Sequence, residues 1–135
     1  MTENTVNLST PIIGETRAVV AREVQRSRGA RIRVLLGPDD GMPRFHMREF
    51  TLDPGGSIPE HGHPEIEHVQ LVLAGELTIS LDGAARTVGA GHFIYIPPGC
   101  AHWYENRGAV ECRFLCMIPA GIAYTTDWKE PGERG

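Results

Sequence analysis

From Arg31 onward, apolar and polar positions alternate in short runs, and each run is closed by turn residues. ARIRVLLG ends at a Gly-Pro pair, and RFHMREFTL ends at Asp53-Pro54-Gly55-Gly56. HVQLVLAG runs to Gly75, and ELTISL runs to Asp82-Gly83, a hairpin signal. ARTV reaches Gly89-Ala90-Gly91, HFIYI stops at Pro97-Pro98-Gly99, AHWYEN at Arg107-Gly108, and VECRFLCMI at Pro119. About eight short strands at roughly ten-residue spacing predict a sandwich or barrel. Closing the sheet removes the edges that such apolar strands would expose. VVAREV, within residues 15–28, reads equally as strand or short helix, and Met1–Thr10 as a loose arm or a strand added to a neighbouring subunit. The expected division is an N-terminal arm or strand over 1–30, a barrel over 31–119 and a C-terminal tail over 120–135.

Composition agrees with the pattern. The 135 residues suffice for one domain. With 16 glycines, 10 prolines and 22% charged residues, a helical bundle is disfavoured and an all-β chain favoured. The single lysine, Lys129, lies in the tail, so Schiff-base chemistry in a core is nearly excluded. Six histidines bring metal binding or proton transfer forward.

Net charge is −4, so no nucleic-acid partner is expected. Arg17, Arg22, Arg26, Arg28, Arg31 and Arg33 form a local exception, read as a solvated face or as salt bridges to an acidic partner subunit, with an anion or nucleic-acid site the alternative. Cys100, Cys112 and Cys116 form no CxxC, which suits reduced thiols in a cytoplasm. The polar start and the lack of an 18-residue apolar run predict a cytoplasmic protein without a membrane partner.

The histidines are spaced for a purpose. In PEHGHPEIEHVQLVLAG, His61 and His63 stand two apart, which on a strand aims both imidazoles to one face. His68 opens the next apolar run and His102 opens another after PPGC. An HxH pair alone is a weak signal, but the longer pattern is specific. Gly55, five residues, His61-x-His63, four residues, position 68, six residues and Gly75 match the spacing of the first cupin motif. Gly91, five residues, Pro97-x-Gly99, two residues, His102, three residues and Asn106 match the second. Over roughly residues 31–119 the chain resembles the cupin superfamily, which implies a single-domain double-stranded β-helix, or jelly-roll, barrel.

Most cupins carry Glu where this chain has His68, and Glu67 stands one residue earlier. Adjacent strand residues face opposite sides, so only one of the two can point inward. His68 is the favoured ligand, with Glu67 the alternative. Four histidines, with the strands RGARIRVLLG and FLCMIP, extend the resemblance to small single-domain manganese cupins. The resemblance implies one divalent transition metal per chain held by His61, His63, His68 and His102. Mn or Fe is favoured, and Ni, Co, Zn or Cu would also suit imidazole.

Strand parity and the resemblance add further candidates. Arg48 could pair with a substrate carboxylate or enolate, or form a barrel-mouth salt bridge. Tyr104 shares a face with His102 and could donate a hydrogen bond or simply pack. Cys116 corresponds to a cysteine near the metal in the four-histidine relatives, or is an inert buried thiol. Those three form the candidate catalytic set. Ile58, Phe114 and Ile118 are expected as an apolar pocket wall, Gln70 shares a face with His68, and His46 shares parity with Arg48. His92, Cys100 and Cys112 read as structural, Trp103 as packing or a subunit interface, and Trp128 is left unassigned.

The expected function is that of a metal-dependent oxidoreductase of dioxygenase type acting on a small chelating molecule. The alternatives are a lyase, isomerase or polyketide-type cyclase using the ion as Lewis acid, and a binding module without turnover. Small cupins usually pair, and the apolar outer strands fit a homodimer.

Overall fold

The structure is a computed structural model and describes residues 10–129. The arm expected over Met1–Thr10 lies outside the described residues except for Thr10. The strands are β1 Arg22–Glu23, β2 Arg28–Leu36, β3 Phe45–Gly62, β4 His68–Ala74 and β5 Glu76–Leu81. They continue with β6 Ala84–Gly89, β7 Phe93–Ile96, β8 His102–Glu105, β9 Cys112–Pro119 and β10 Asp127–Trp128. Two single 3₁₀ turns, Thr16–Ala18 and Pro38–Asp40, are the only helical elements among the described residues.

One antiparallel sheet runs in the order β6-β5-β8-β3-β9-β4-β7 and curls on itself, with β2 and β10 also on β3 and β1 on β2. This is the all-β barrel expected from the alternation, and the jelly roll that the resemblance implies. β9 shows why it closes: Cys112, Phe114, Cys116 and Ile118 are buried, while the residues between them are half-buried. The deep core gathers Leu52, Val72, Leu77, Ile79, Ile96 and Phe114.

β3 departs from the expected pattern. Asp53-Pro54-Gly55-Gly56 was read as a turn that ends a strand, yet β3 continues through it for 18 residues. Phe45–Leu52 pairs with β9, and Ser57–His61 pairs with β8. The segment is a corner at which one strand passes from one half of the barrel to the other. Gly55 takes φ +82°, and a Cβ on Gly56 would meet the Gly29 carbonyl at 2.7 Å. The corner stays bonded through Gly55 N–H to Asn106 O (2.8 Å) and Asn106 N–H to Gly56 O (2.9 Å). Asn106, which ends the second motif, also donates from Nδ2 to the carbonyls of Leu52 (3.0 Å) and Val110 (2.8 Å).

A second irregularity aims the histidines. Ile58 pairs with Tyr104 and His61 with His102, so β3 carries one extra residue between them. The bulge contains Pro59, which has no N–H to lose from the ladder.

Two arginines of the arginine-rich stretch form ion pairs within this chain rather than with a partner subunit. Arg31 pairs with Asp53 at 2.8 Å and Glu111 at 3.5 Å, and Arg33 and Arg113 both reach the buried Glu49. All three cysteines are free and buried. Trp103 is buried within this chain rather than presented to a partner. Val69, Leu71, Phe93 and Tyr95 are exposed on the outside of β4 and β7, where Val69 faces Tyr95 and Leu71 faces Phe93 in register. No helix among the described residues is long and apolar enough to cross a membrane.

Candidate metal centre

A cavity of about 260 Å³ occupies one end of the barrel, and four histidines line it. One ring nitrogen from each of His61, His63 and His102 lies within 4.8 Å of the others. The His68 ring lies beside this trio, 5.1 Å from that of His63 and 5.4 Å from that of His102, outside the set of three mutually close nitrogens. Glu67 instead lines a separate groove with Val69 and Met117. Parity on β4 therefore sends His68 inward and Glu67 outward.

The backbone sets the tautomers. Nδ1 of His61 lies 2.8 Å from Pro59 O, that of His63 3.0 Å from Thr125 O, and that of His102 2.9 Å from Cys100 O. A carbonyl only accepts, so each Nδ1 carries the hydrogen and each Nε2 keeps a free lone pair. His68 Nδ1 is buried with no partner among the described residues. Burial, reinforced by repulsion within the cluster, pushes His61 down to about 4, His102 to about 3 and His68 to about 2. His63 is lowered too, again mainly by burial. The three close imidazoles, each with its Nε2 lone pair kept free, fit a divalent transition metal.

Beside the histidines, a polar row spans three strands, because Arg48, Cys116 and Gln70 are in register on β3, β9 and β4. Arg48 Nη2 donates to Cys116 Sγ at 3.2 Å, and Gln70 Nε2 reaches the same sulfur at 3.3 Å. Gln70 Nε2 also donates to the Tyr104 hydroxyl across the barrel at 2.7 Å. Burial drives the Tyr104 phenol well above its ordinary range, so it stays protonated. Arg48, Gln70, Tyr104, Cys116 and Ile58 all line the cavity, as expected from parity.

Three expected pocket residues do not. Phe114 is fully buried beneath the cavity, its ring stacked between Phe50 at 5.2 Å and Tyr104 at 5.1 Å. Ile118 is buried in the core and borders the outer groove with Glu67. His46, opposite Ile118, is half-buried and outside the cavity. Shared parity put these residues on the inner face, but their rows lie to either side of the cavity. His92 is exposed, and its Nδ1 lies 3.1 Å from the Gly89 N–H.

Other walls come from segments the sequence left open. Tyr124, Thr126 and Trp128 close the cavity from the C-terminal tail, and Glu23, Val24 and Gln25 from the β1–β2 hairpin. Trp128 pairs with His61 in register, and its ring lies 4.9 Å from the imidazole. Arg26 caps that indole at 5.1 Å. Phe50 also lines the cavity and was legible, since it shares parity with Arg48. The tail carried only its aromatics as a signal.

Comparison with known proteins places this geometry. The family description "Cupin domain" matches residues 48–118. Protein SchB of Streptomyces halstedii is 34% identical over 91 residues, 67% of this chain and 66% of that protein. Polyketide synthase CurC of Streptomyces cyaneus is 33% identical over 102 residues, 73% of this chain and 66% of that protein. The chain thus spans just under two thirds of the length of these curated relatives. Among solved structures, the polyketide cyclase RemF from Streptomyces resistomycificus superposes with a TM-score of 0.82 at 30% identity, covering 93% of this chain and 89% of that one.

Proposed function

The chain belongs to the cupin family, and we propose that it is a metal-dependent cyclase that closes a ring in a small poly-β-ketone. The observation that carries this reading is the cluster of neutral imidazoles facing a half-apolar cavity. The similarity to RemF supports the choice of substrate class. We assign His61, His63, His68 and His102 as the ligands of one divalent ion. When bound there, the ion supplies Lewis acidity to an enolisable dicarbonyl without the charge cancellation that a carboxylate ligand brings.

The chain's own groups do the rest. Ile32, Phe50 and Ile58 give a carbon chain an apolar wall and keep water away. Tyr104 is a donor and not a base, because its phenol stays protonated. Gln70 fixes the Tyr104 oxygen, leaving the hydroxyl hydrogen for the carbonyl oxygen on which charge develops. Carbon–carbon bond formation followed by loss of water needs no oxidant. The all-imidazole set also suits redox-active Mn and Fe, which keeps the oxygen-dependent reading as the competitor.

The test uses the full chain as purified. Mass spectrometry identifies the metal, and a synthetic poly-β-ketone acid is followed with and without oxygen. Ring closure at equal rates in both atmospheres, abolished by chelation, is expected. Oxygen consumed in step with substrate overturns the cyclase in favour of an oxygenase, and tight binding without conversion leaves a binding module. For the ligand set, His68→Ala is expected to lose metal while Glu67→Ala retains it, and the reverse result removes His68 from the site.

A further inference from the structure

We propose that Arg48 anchors a carboxylate of the substrate, so that the molecule processed here is a released polyketide acid and not a thioester held on a carrier. This rests on the cyclase reading for the carbon skeleton, but the anchor itself follows from the cavity. Arg48 has no carboxylate partner among the described residues. Its Nη2 donates to a thiol sulfur, a weak acceptor, and its Nε–H is buried with no acceptor at all. Arg48 is half-buried at the cavity wall; a guanidinium cannot shed its charge, and a partly desolvated charge without a counter-ion favours an anion that enters the cavity.

The guanidinium is also held ready. It lies over the Phe50 ring at 5.3 Å, and Phe50 stacks on Phe114, which stacks on Tyr104. That pile locks the side chain before a ligand arrives, which lowers the ordering cost of binding. A planar donor fork fits a carboxylate. An enolisable dicarbonyl has its place at the histidines, which line the same cavity. A molecule that reaches both carries the dicarbonyl at one point and an acid at another, with Ile32, Phe50 and Ile58 against the carbon chain between. A thioester presents Arg48 with a neutral carbonyl and leaves the charge unmatched. The step that supplies the substrate is then a hydrolysis, in which water cleaves an acyl–sulfur bond to give the acid and a thiol.

Isothermal titration of the full chain as purified, with its metal, compares three probes: 3-hydroxy-2-naphthoic acid, its carboxamide and its N-acetylcysteamine thioester. The acid is expected to bind about tenfold or more tighter than either neutral probe. Arg48→Gln should bring the ratio near one. Arg48→Lys keeps the charge without the fork and should retain a reduced preference. If Arg48→Gln does not fold, the lysine variant decides, because the hydroxy acid also chelates the metal and the wild-type ratio alone does not separate the two contributions. Equal binding of acid and neutral probes by the wild type overturns the proposal, and so does a preference that survives in Arg48→Gln. A failed ring-closure assay with the binding preference intact removes the cyclase and leaves the anchor standing.

Discussion

Two neighbouring rows of the barrel interior sit on the same three strands and follow opposite rules. Arg48, Cys116 and Gln70 form one, and Phe50, Phe114 and Val72 form the next, two residues further along. The first row and the adjacent His68 leave Arg48 Nε, Gln70 Oε1 and His68 Nδ1 buried without partners among the described residues. The second row has no polar side chain, and Phe114 and Val72 within it are buried almost completely. Unsatisfied buried polar atoms oppose folding, whereas buried rings and methyls drive it. The site is thus built from groups that destabilise the ligand-free protein, and the apolar row beneath offsets them. Changing the two rows separately tests the contrast.

A large effect is expected in the apolar row. Phe114→Ala removes a ring stacked on both sides and should cost about 3–5 kcal/mol in urea unfolding. A loss below about 1 kcal/mol would mean that the core collapses around the gap and that the row is not the foundation described.

Acid probes the polar layer next. Unfolded imidazoles titrate near 6.5, while His61 is held down to about 4, His102 to about 3 and His68 to about 2. Below 6.5 the unfolded chain therefore binds more protons than the folded one. Stability of the metal-free protein is full above pH 6.5 and declines as pH falls toward 4 and below. The slope is about 1.4 kcal/mol per pH unit for each histidine kept neutral. Urea midpoints measured across pH 7.5 to 5 check this, and a flat profile breaks the claim that these histidines are neutral and buried.

Much of this contrast was legible in the sequence. β4 to β9 announce themselves because each alternating run ends at Gly, Pro or Asp-Gly, and Gly75 shows how strict such a position is. It adopts φ +75°, and a Cβ there would collide with the Glu111 carbonyl. The four histidines were legible through their spacing, and His68 over Glu67 through the six-residue gap to Gly75, with parity allowing only one of the two inward. Parity does not say how deep a row lies, so Phe114 and Ile118 were placed in the pocket when they sit beside it. The corner at Gly55-Gly56 carries the residues of a turn, and its bonds to Asn106 help keep β3 whole. The cover over the histidines was not legible either. β10 is two residues long and pairs with β3 across more than sixty positions of chain, a contact no local pattern encodes.

That cover gives the smallest expected change in stability and the sharpest separation of roles. Trp128 is half-buried, belongs to a two-residue strand and rests against His61 under Arg26. Removing it takes little from the core, so Trp128→Ala should cost no more than about 1 kcal/mol in urea unfolding. The same segment supplies Thr125 O to His63 Nδ1, the contact that turns the His63 lone pair toward the cluster. Loosening the segment frees His63 to change tautomer or rotate, as loss of a partner behind a metal ligand does. Metal release to a chelator should then quicken roughly tenfold while the fold remains intact by circular dichroism. An unchanged release rate would show that the tail merely covers the site, and that His63 is oriented by its own strand. A large loss of stability would instead make the tail part of the apolar foundation and erase the distinction between the cover and the row that carries Phe114.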